Sequence, residues 1–483
     1  MADGGIIRDV PGGIPRQVNV SCSPTVFQFE QLSAETCILM NVLGYGPHIR
    51  QARIDAFKAH DRHMTALARG NSTWVTTGSK AEGLTNYRES DTDSMCVTNH
   101  VMCLEEGVDS SIVPGEKSIF RSCSRISYHG HCRLLLERYG TRIPTIINNA
   151  LCDDGYGSGL LSSDLYVNQM LNVKYMYNER TVGHERAGPS APFTSNGIDH
   201  ADLVGALHFK CPSILTRWAA RHRNWPSSDV VQEVVSLGAF VSPVGVKGSD
   251  YEPVEWRMCF NTGENMLVNN LHDTQVKLYV LLKMVKNDVL KPCKKEVTSF
   301  IVKNIVLWIA ENNPQSLFNE RSLFHWLHEG LYALRVAIDT KELPYYMIPE
   351  RNLMAACALE HEQKLSLIAT IDEMMKDGPR LILRLPKIRQ AIIAHPEPLR
   401  WYSGRRIEVE MLRLIASNRM VEILQLIAKN RIDEETDGIL KQDVIMQANL
   451  RRQKEIVMEV GLRMIMEGSR VNDMGDVLNS MLM

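Results

Sequence analysis

The alternation of apolar and polar residues divides the chain into a part rich in strands and a part rich in helices. Four short runs rich in β-branched and apolar side chains predict strands at 74–77, 91–103, 118–127 and 131–138. From about residue 212 onward, apolar residues recur at helical spacing. The pattern therefore predicts an α+β protein in which a mixed sheet precedes a helical part.

A long helix is predicted ahead of the first strand, over residues 25–69, with an interruption at Gly44–Pro47. At 100° per residue, the apolar positions after the interruption share an arc of roughly 140°, which predicts one buried face. These positions are Ile49, Ile54, Phe57, Met64 and Leu67. Arg50 and Arg53 fall in the same arc, so the face is imperfect.

Composition describes an ordinary globular protein. The chain has 483 residues, 44% of them hydrophobic and 23% charged, which is enough for two or three domains or one large bilobal unit. A net charge of −2 argues against a polycation built for nucleic acid. No run has the length of a signal peptide core or a membrane span. Eleven cysteines without a CxxC pair predict reduced thiols in a cytoplasmic protein, with neither a disulfide framework nor a zinc site.

The first chemical motif is a Gly-Ser turn followed by two acids. Gly78 and Ser79 supply backbone N–H groups and a hydroxyl suited to the outer phosphates of a nucleotide. Asp91 and Asp93 are two residues apart in a predicted strand, so their side chains share a face where they can hold hard cations such as Mg²⁺. Either half alone is more simply a turn or a solvated strand end.

A third acid opens a later apolar run. Asp202 directly precedes Leu-Val-Gly-Ala-Leu, as a strand with one carboxylate at its end would. It is a candidate third metal carboxylate, with Asp199 as the competing candidate. A strand-start Asp that bonds loop amides fits the same text equally well.

With Ser79 twelve residues before Asp91, the first motif resembles the signature of the nucleotidyltransferase superfamily. Within it, the chain is most similar to the Mab-domain proteins, which include cyclic GMP-AMP synthase and the cGAS-like receptors. Over roughly residues 45–360 the family motifs occur in order: Gly78-Ser79 with Asp91 and Asp93, then Asp202, then Trp256-Arg257, then Ser299-Phe300. The pattern departs from the family at Cys259 and Asn261, which replace two serines, and at Phe300, which replaces a tyrosine.

The resemblance implies a bilobal nucleotidyltransferase fold. Its expected parts are a disordered N-terminus (1–24), a catalytic lobe with a spine helix (25–211), a helical C-lobe (212–380) and an extra helical segment of undetermined role (381–483). It also implies that Asp91, Asp93 and Asp202 bind two Mg²⁺ or Mn²⁺ ions. Nucleotide contacts would come from Gly78, Ser79, Arg257, Lys283, Ser299 and Phe300. A salt-bridged Arg257 and a core Phe300 are the ordinary structural interpretations.

The implied activity is synthesis of a cyclic dinucleotide from NTPs, with ATP and GTP expected, by a ligand-activated innate immune sensor. Double-stranded RNA or DNA would be the activator, and the active form could be a homodimer. Candidate phosphate contacts are Lys58, Arg62 and Arg69, together with the lysines of 277–303. The stretch 273–303 contains seven lysines and three acids, which is a local basic excess. A solvated helix face explains the same cations. The alternatives are a catalytically silent scaffold for nucleotide or protein, and an enzyme that makes linear oligonucleotides.

Overall fold

The computed structural model describes most of the chain after residue 28. The described residues are 29–86, 89–125, 127–153, 155, 157–171, 181–195, 197, 199–290, 296–430, 443–468, 471, 475, 477–478 and 481. The predicted disordered stretch 1–24 lies outside them.

The described strands join into one mixed sheet. They are β1 (Ser72–Thr77), β2 (Thr92–Leu104), β3 (Ser118–Cys123), β4 (His131–Arg138), β5 (Leu151–Asp153), β6 (Gly159–Leu161), β7 (Thr181–Gly183), β8 (Ser190–Ser195), β9 (Asp199–Lys210), β10 (Ala239–Ser242) and β11 (Glu255–Cys259). β2 pairs in parallel with both β3 and β9, and antiparallel with β1. The pairings β2–β3–β4–β11–β10–β9 return to β2, so six strands form a closed ring.

Helices precede, connect and follow the strands. They are α1 (Glu30–Met40), α2 (Pro47–Leu67), α3 (Gly78–Ala81), α4 (Thr145–Asn148), α5 (Ser163–Leu171), α6 (Pro212–Ala219), α7 (Ser228–Leu237), α8 (Asn261–Asn269), α9 (Asp273–Met284), α10 (Ser299–Asn312), α11 (Leu323–Thr340), α12 (His361–Asp377), α13 (Pro386–Ala394), α14 (Leu399–Asn430) and α15 (Val444–Met466). Two π-helical stretches, Asn41–Tyr45 and Val285–Val289, adjoin α1 and α9. None of these described helices is both long and apolar enough to cross a bilayer.

The chain divides into two compact units. The helical unit contains the residues up to Glu35, Arg221–Ser227 and Thr274–Pro386, and the sheet unit contains Thr36–Ala220, Ser228–Asp273 and Lys387–Met483. The predicted α+β class, with a mixed sheet, a long helix before it and a helical lobe, is confirmed. The sequence-based domain boundaries stay predictions, but the last hundred residues group with the sheet.

The sheet unit has α2 packed between the sheet and the C-terminal helices. Ile49 and Ala56 of α2 form a buried cluster with Leu414 of α14. The predicted buried face holds at Ile49 and Ile54, whereas Leu67, in the last turn, is 53% exposed. Phe57 and Met64 between them are half-buried, so the predicted face is buried at its N-terminal end and reaches solvent at its C-terminal end.

Candidate functional site

Strand register brings two of the predicted acids together. In the parallel pairing of β2 with β9, Asp93 is the partner of Asp202. Residues paired across neighbouring strands lie about 5 Å apart and project to the same face of the sheet. That face continues into a buried cluster that includes Met95 and Ala206. The two carboxylates therefore lie where the apolar cluster gives way to solvent, at the start of both strands.

The Gly-Ser turn lies against this pair. β1 ends at Thr77, which is paired with Asp93, and Gly78 follows with a φ of +65°. A Cβ placed on Gly78 would lie 2.5 Å from Oδ2 of Asp93. The position therefore requires glycine for two reasons, its backbone conformation and its closeness to the carboxylate. Ser79 follows in the first turn of α3 and is half-buried.

The third predicted acid is oriented by a hydroxyl. Ser190 of β8 donates a hydrogen bond from Oγ to Oδ1 of Asp202 at 3.0 Å. Asp202 is half-buried, whereas Asp91 and Asp93 are exposed. The side chain of Asp199, the competing candidate, lies outside the described residues.

Asp91 precedes β2 and has no strand partner of its own. Continuing the register of β2 and β9 by one step beyond Thr92 and Ala201 puts Asp91 beside His200. His200 is two residues from Asp202 on the same strand, so both side chains project to the same face.

A pair of imidazoles extends the acidic group, and sequence reasoning missed it. Thr194 Oγ1 lies 2.9 Å from Nδ1 of His200 and 2.7 Å from Nε2 of His184. The Thr194 hydroxyl has one proton to donate. At least one of these two imidazole nitrogens must therefore donate a hydrogen bond to the hydroxyl oxygen. The alternation that put Asp91 and Asp93 on one face would also have selected His200, once β9 was aligned with β2.

The donor set fits a divalent ion in part. Across the part of the chain that the structure describes, no three His, Cys, Asp or Glu side chains converge into a group able to hold a metal. Mg²⁺, however, is commonly bound by one or two carboxylates together with substrate phosphates. Asp93 is exposed, Asp202 is half-buried, and the two are paired in register, so they meet that lesser requirement and are the residues that would hold an ion.

One buried arginine and one half-buried arginine hold the loop between the Gly-Ser turn and Asp91. We call it the connecting loop, and it is described at residues 82–86 and 89–90. Arg50 Nε donates to the carbonyl of Glu82 at 3.0 Å, and Arg53 Nη1 donates to the carbonyl of Gly83 at 3.3 Å. Arg53 Nη2 also reaches Oδ1 of Asn86 at 2.9 Å. Burial lowers the pKa of Arg50 to about 10, with Glu82 opposing the shift. The two arginines that break the apolar face of α2 therefore hold this loop.

The far end of the connecting loop is held through Glu89. The carboxylate accepts hydrogen bonds from the amide of Asn86 at 2.9 Å, the hydroxyl of Tyr45 at 3.1 Å and Nζ of Lys387 at 2.8 Å. Burial, the largest influence, raises the pKa of Glu89, but Lys387 and these hydrogen bonds outweigh it and the pKa lies below its ordinary value. Glu89 is therefore held as a carboxylate two residues before Asp91.

Arg257 lies on the face that carries the acids. It pairs with Ser242 of β10, and the register across β10 and β9 puts it in the row of Ala206. That row is about 13 Å along the strand from Asp202. Its guanidinium makes no hydrogen bond or ion pair with any residue in the described ranges. A salt bridge of Arg257 is therefore absent among the described residues.

The remaining nucleotide candidates belong to the helical unit. Lys283 is buried, and its Nζ lies 5.6 Å from the ring centroid of Tyr279. Ser299 begins α10, and Phe300 beside it is half-buried, 5.5 Å from the ring of Tyr345. The ring of Phe300 therefore has an aromatic neighbour within its own unit without being fully buried, and its role in stacking on a base stays a prediction.

The predicted basic surface is present in only one of its two parts. Lys58 and Arg62 on α2, and Arg69 after it, are exposed. In the second part, by contrast, Lys277, Lys283 and Lys303 are 1%, 8% and 7% exposed. The prediction that these three line a surface for nucleic acid is wrong, because α9 and α10 are buried almost all round. Lysines 291, 294 and 295 lie outside the described residues.

One comparison with known proteins identifies the helical unit. Residues 274–371 match the family model described as the Mab-21 protein HhH/H2TH-like domain. The family is nucleotidyltransferase-like and includes the cGAS-like enzymes, so the predicted resemblance is confirmed. No curated protein matches the chain.

Proposed function

We propose that this chain, a protein of the nucleotidyltransferase-like Mab-21 family, is a metal-dependent nucleotidyltransferase that makes a cyclic dinucleotide from NTPs. One observation carries the proposal: Asp93 and Asp202 are partners in parallel strands, and the Gly78-Ser79 turn lies against Asp93. Adjacent carboxylates beside a tight glycine turn are what transfer of a nucleotidyl group requires.

Each residue would have a defined task. The Ser79 hydroxyl and the neighbouring amides would hold the β- and γ-phosphates of the donor. Asp93 and Asp202, with Asp91, would hold two Mg²⁺ or Mn²⁺ ions, which lower the pKa of the attacking sugar hydroxyl and stabilise pyrophosphate as it leaves. Asp202, held by Ser190, would orient that hydroxyl toward the α-phosphorus. A new P–O bond would form there, the P–O bond to pyrophosphate would break, and the hydroxyl proton would pass to solvent water.

The cyclic product is carried over from the family resemblance, as are the role as a cytoplasmic immune sensor and activation by double-stranded RNA or DNA. Arg257 supports nucleotide binding, because its guanidinium is uncommitted and on the face of the acids. Lys58, Arg62 and Arg69 are the cations open to a phosphate backbone.

The test is incubation of the full chain with labelled ATP, GTP, CTP and UTP in Mg²⁺ or Mn²⁺, with and without double-stranded RNA and DNA. A phosphatase-resistant product that disappears in Asp93→Asn and Asp202→Asn, but not in Asp109→Asn, is the expected result. Asp109 is a suitable control because it is exposed and the hydrogen bonds to its carboxylate within the described ranges come from Ser111. A phosphatase-sensitive ladder would instead identify a linear polymerase.

A second candidate, a silent nucleotide-binding scaffold, is favoured by one observation: no described trio of acids and imidazoles is preassembled for a metal. It predicts no product under any condition. It also predicts an NTP-dependent rise in melting temperature that survives Asp93→Asn, whereas an enzyme needing that carboxylate for its metal-bound nucleotide would lose the rise.

A further inference from the structure

The C-terminal segment, residues 387–430 and 443–466, contacts the connecting loop directly. Nζ of Lys387 donates to Oε1 of Glu89 at 2.8 Å and lies at 2.8 Å from the hydroxyl of Tyr45. The side chains of Lys387 and Glu89 are only 26% and 29% exposed, so the pair is partly shielded from water. A charge pair of this kind is stronger than one at the open surface.

A second contact acts through α2. Glu410 of α14 accepts two hydrogen bonds from Arg53, both at 2.7 Å. The same guanidinium holds the carbonyl of Gly83 and the side chain of Asn86 in the connecting loop. Glu410 therefore fixes the arginine that fixes the first half of the loop, while Lys387 fixes the second half.

These contacts make loop order depend on the docked segment. Without Lys387, the partners left to the Glu89 carboxylate among the described residues would be the Tyr45 hydroxyl and the Asn86 amide. Without Glu410, Arg53 would be a buried cation with no carboxylate hydrogen-bonded to it in the described ranges. Each loss would favour rearrangement of the loop over retention of its present path. The loop begins directly after α3, which contains Ser79, and ends at Asp91, so such a change would alter the spacing between the phosphate cradle and an acid.

We propose that the C-terminal segment is a positioning element of the candidate active site, with Lys387 and Glu410 as positioning residues for the connecting loop. Its catalytic consequence rests on the proposed nucleotidyltransferase function, whereas its structural part does not. This proposal gives the C-terminal segment a role within the sheet unit.

The test is hydrogen exchange of the full chain, followed by mass spectrometry of peptides that cover residues 79–91. Lys387→Glu should make exchange in these peptides about tenfold faster or more, because the local opening becomes easier. Glu89→Lys should do the same, and the double variant should recover most of the protection by reversing the pair. Lys454→Glu is the matched control, since Lys454 is an exposed cation of the same segment. Lys387→Met serves if Lys387→Glu lowers the overall melting temperature.

Turnover is measured on the same proteins. If transfer activity is found, Lys387→Glu should lower kcat severalfold with a smaller change in KM, and the reversed pair should restore it. Faster loop exchange with unchanged kcat would overturn the catalytic part, and unchanged exchange in every Lys387 variant would overturn the whole inference. A chain without any transfer activity would contradict the proposed function alone, because the exchange result still decides whether the segment positions the loop.

Discussion

Replacing Glu410 by Gln is the sharpest test of how the sheet unit is held together. Arg53 and Glu410 are 2% and 1% exposed, and two hydrogen bonds of 2.7 Å join them side by side. The substitution keeps the size of the side chain and removes its charge. The effect therefore measures electrostatics with little change in packing.

The expected loss is large because the arginine stays behind. Removing one partner of a buried ion pair costs about 3–5 kcal/mol, mainly because it leaves an uncompensated charge. Arg406 lies close by, with buried Nε and Nη2 atoms that have no hydrogen-bond partner among the described residues. Burial lowers the pKa of Arg406, and the Glu410 carboxylate is the largest charge that opposes this shift. Glu410 thus compensates the charge of Arg406 as well as that of Arg53, and its loss should be at the upper end of that range. Arg53→Met combined with Glu410→Met should cost much less than the sum of the single changes.

The assay is native-state hydrogen exchange of the α2 amides as a function of urea, which reports the free energy of opening that helix without assuming that both units unfold together. Glu459→Gln is the control, since Glu459 pairs with Arg405 at 2.9 Å but is 37% exposed, and it should cost about 1 kcal/mol or less. An α2 opening energy in Glu410→Gln within about 1 kcal/mol of the wild type, or a double variant as unstable as the sum of its parts, would refute this reasoning.

Three further outcomes are expected. Gly44 has a φ of +86°, and an added Cβ would lie 2.9 Å from Nη2 of Arg406, so Gly44→Ala should lower the α2 opening energy by more than Gly70→Ala, where φ is +83° and nothing lies within 4 Å. Gly78→Ala should weaken Mn²⁺ binding, measured by electron paramagnetic resonance, because its Cβ would displace the carboxylate of Asp93; unchanged affinity would contradict the assignment. Burial, with Lys117 adding to it, lowers the pKa of His208 to about 4, so the folded state binds that proton less readily than the unfolded state. The free energy of unfolding should therefore fall by up to about 3 kcal/mol between pH 6.5 and 4, and His208→Gln should flatten a series of urea midpoints over this range.

Local pattern was sufficient for β1 to β4, for β9 and for the acids at the ends of these strands, but it did not predict β5, β6, β7, β10 or β11. The strand at 131–138 has the predicted limits, and the strand predicted at 91–103 runs from Thr92 to Leu104. Gly78, Asp93 and Asp202 could be selected because a glycine turn and acids at strand ends leave a signal within a few residues. The predicted strand at 118–127 ends early, at Cys123.

What the sequence could not supply depends on partners far apart in the chain. Arg53 and Glu410 are 357 positions apart, and Lys387 and Glu89 are 298 apart. From the sequence alone, Arg53 only interrupts the apolar face of α2. Its role becomes visible once Glu410 is known to be its buried partner. The prediction that the lysines of α9 are exposed was wrong for a related reason. It assumed that one face of the helix is exposed to solvent, whereas residues 274–284 are all buried.

Two kinds of contact position the acids of the candidate site: backbone pairing between strands, and hydrogen bonds from cationic side chains to the connecting loop. The backbones of Asp93 and Asp202 are held by the pairing between β2 and β9, which fixes the spacing of the two residues. Asp91 precedes the strand and has no such pairing, so its position depends on the path of the connecting loop. Arg50, Arg53 and Lys387 act on that loop, each through a hydrogen bond to a carbonyl or a carboxylate. The chain therefore places one buried and two half-buried cations where strand pairing stops. The C-terminal segment supplies the charges that hold the last part of the site.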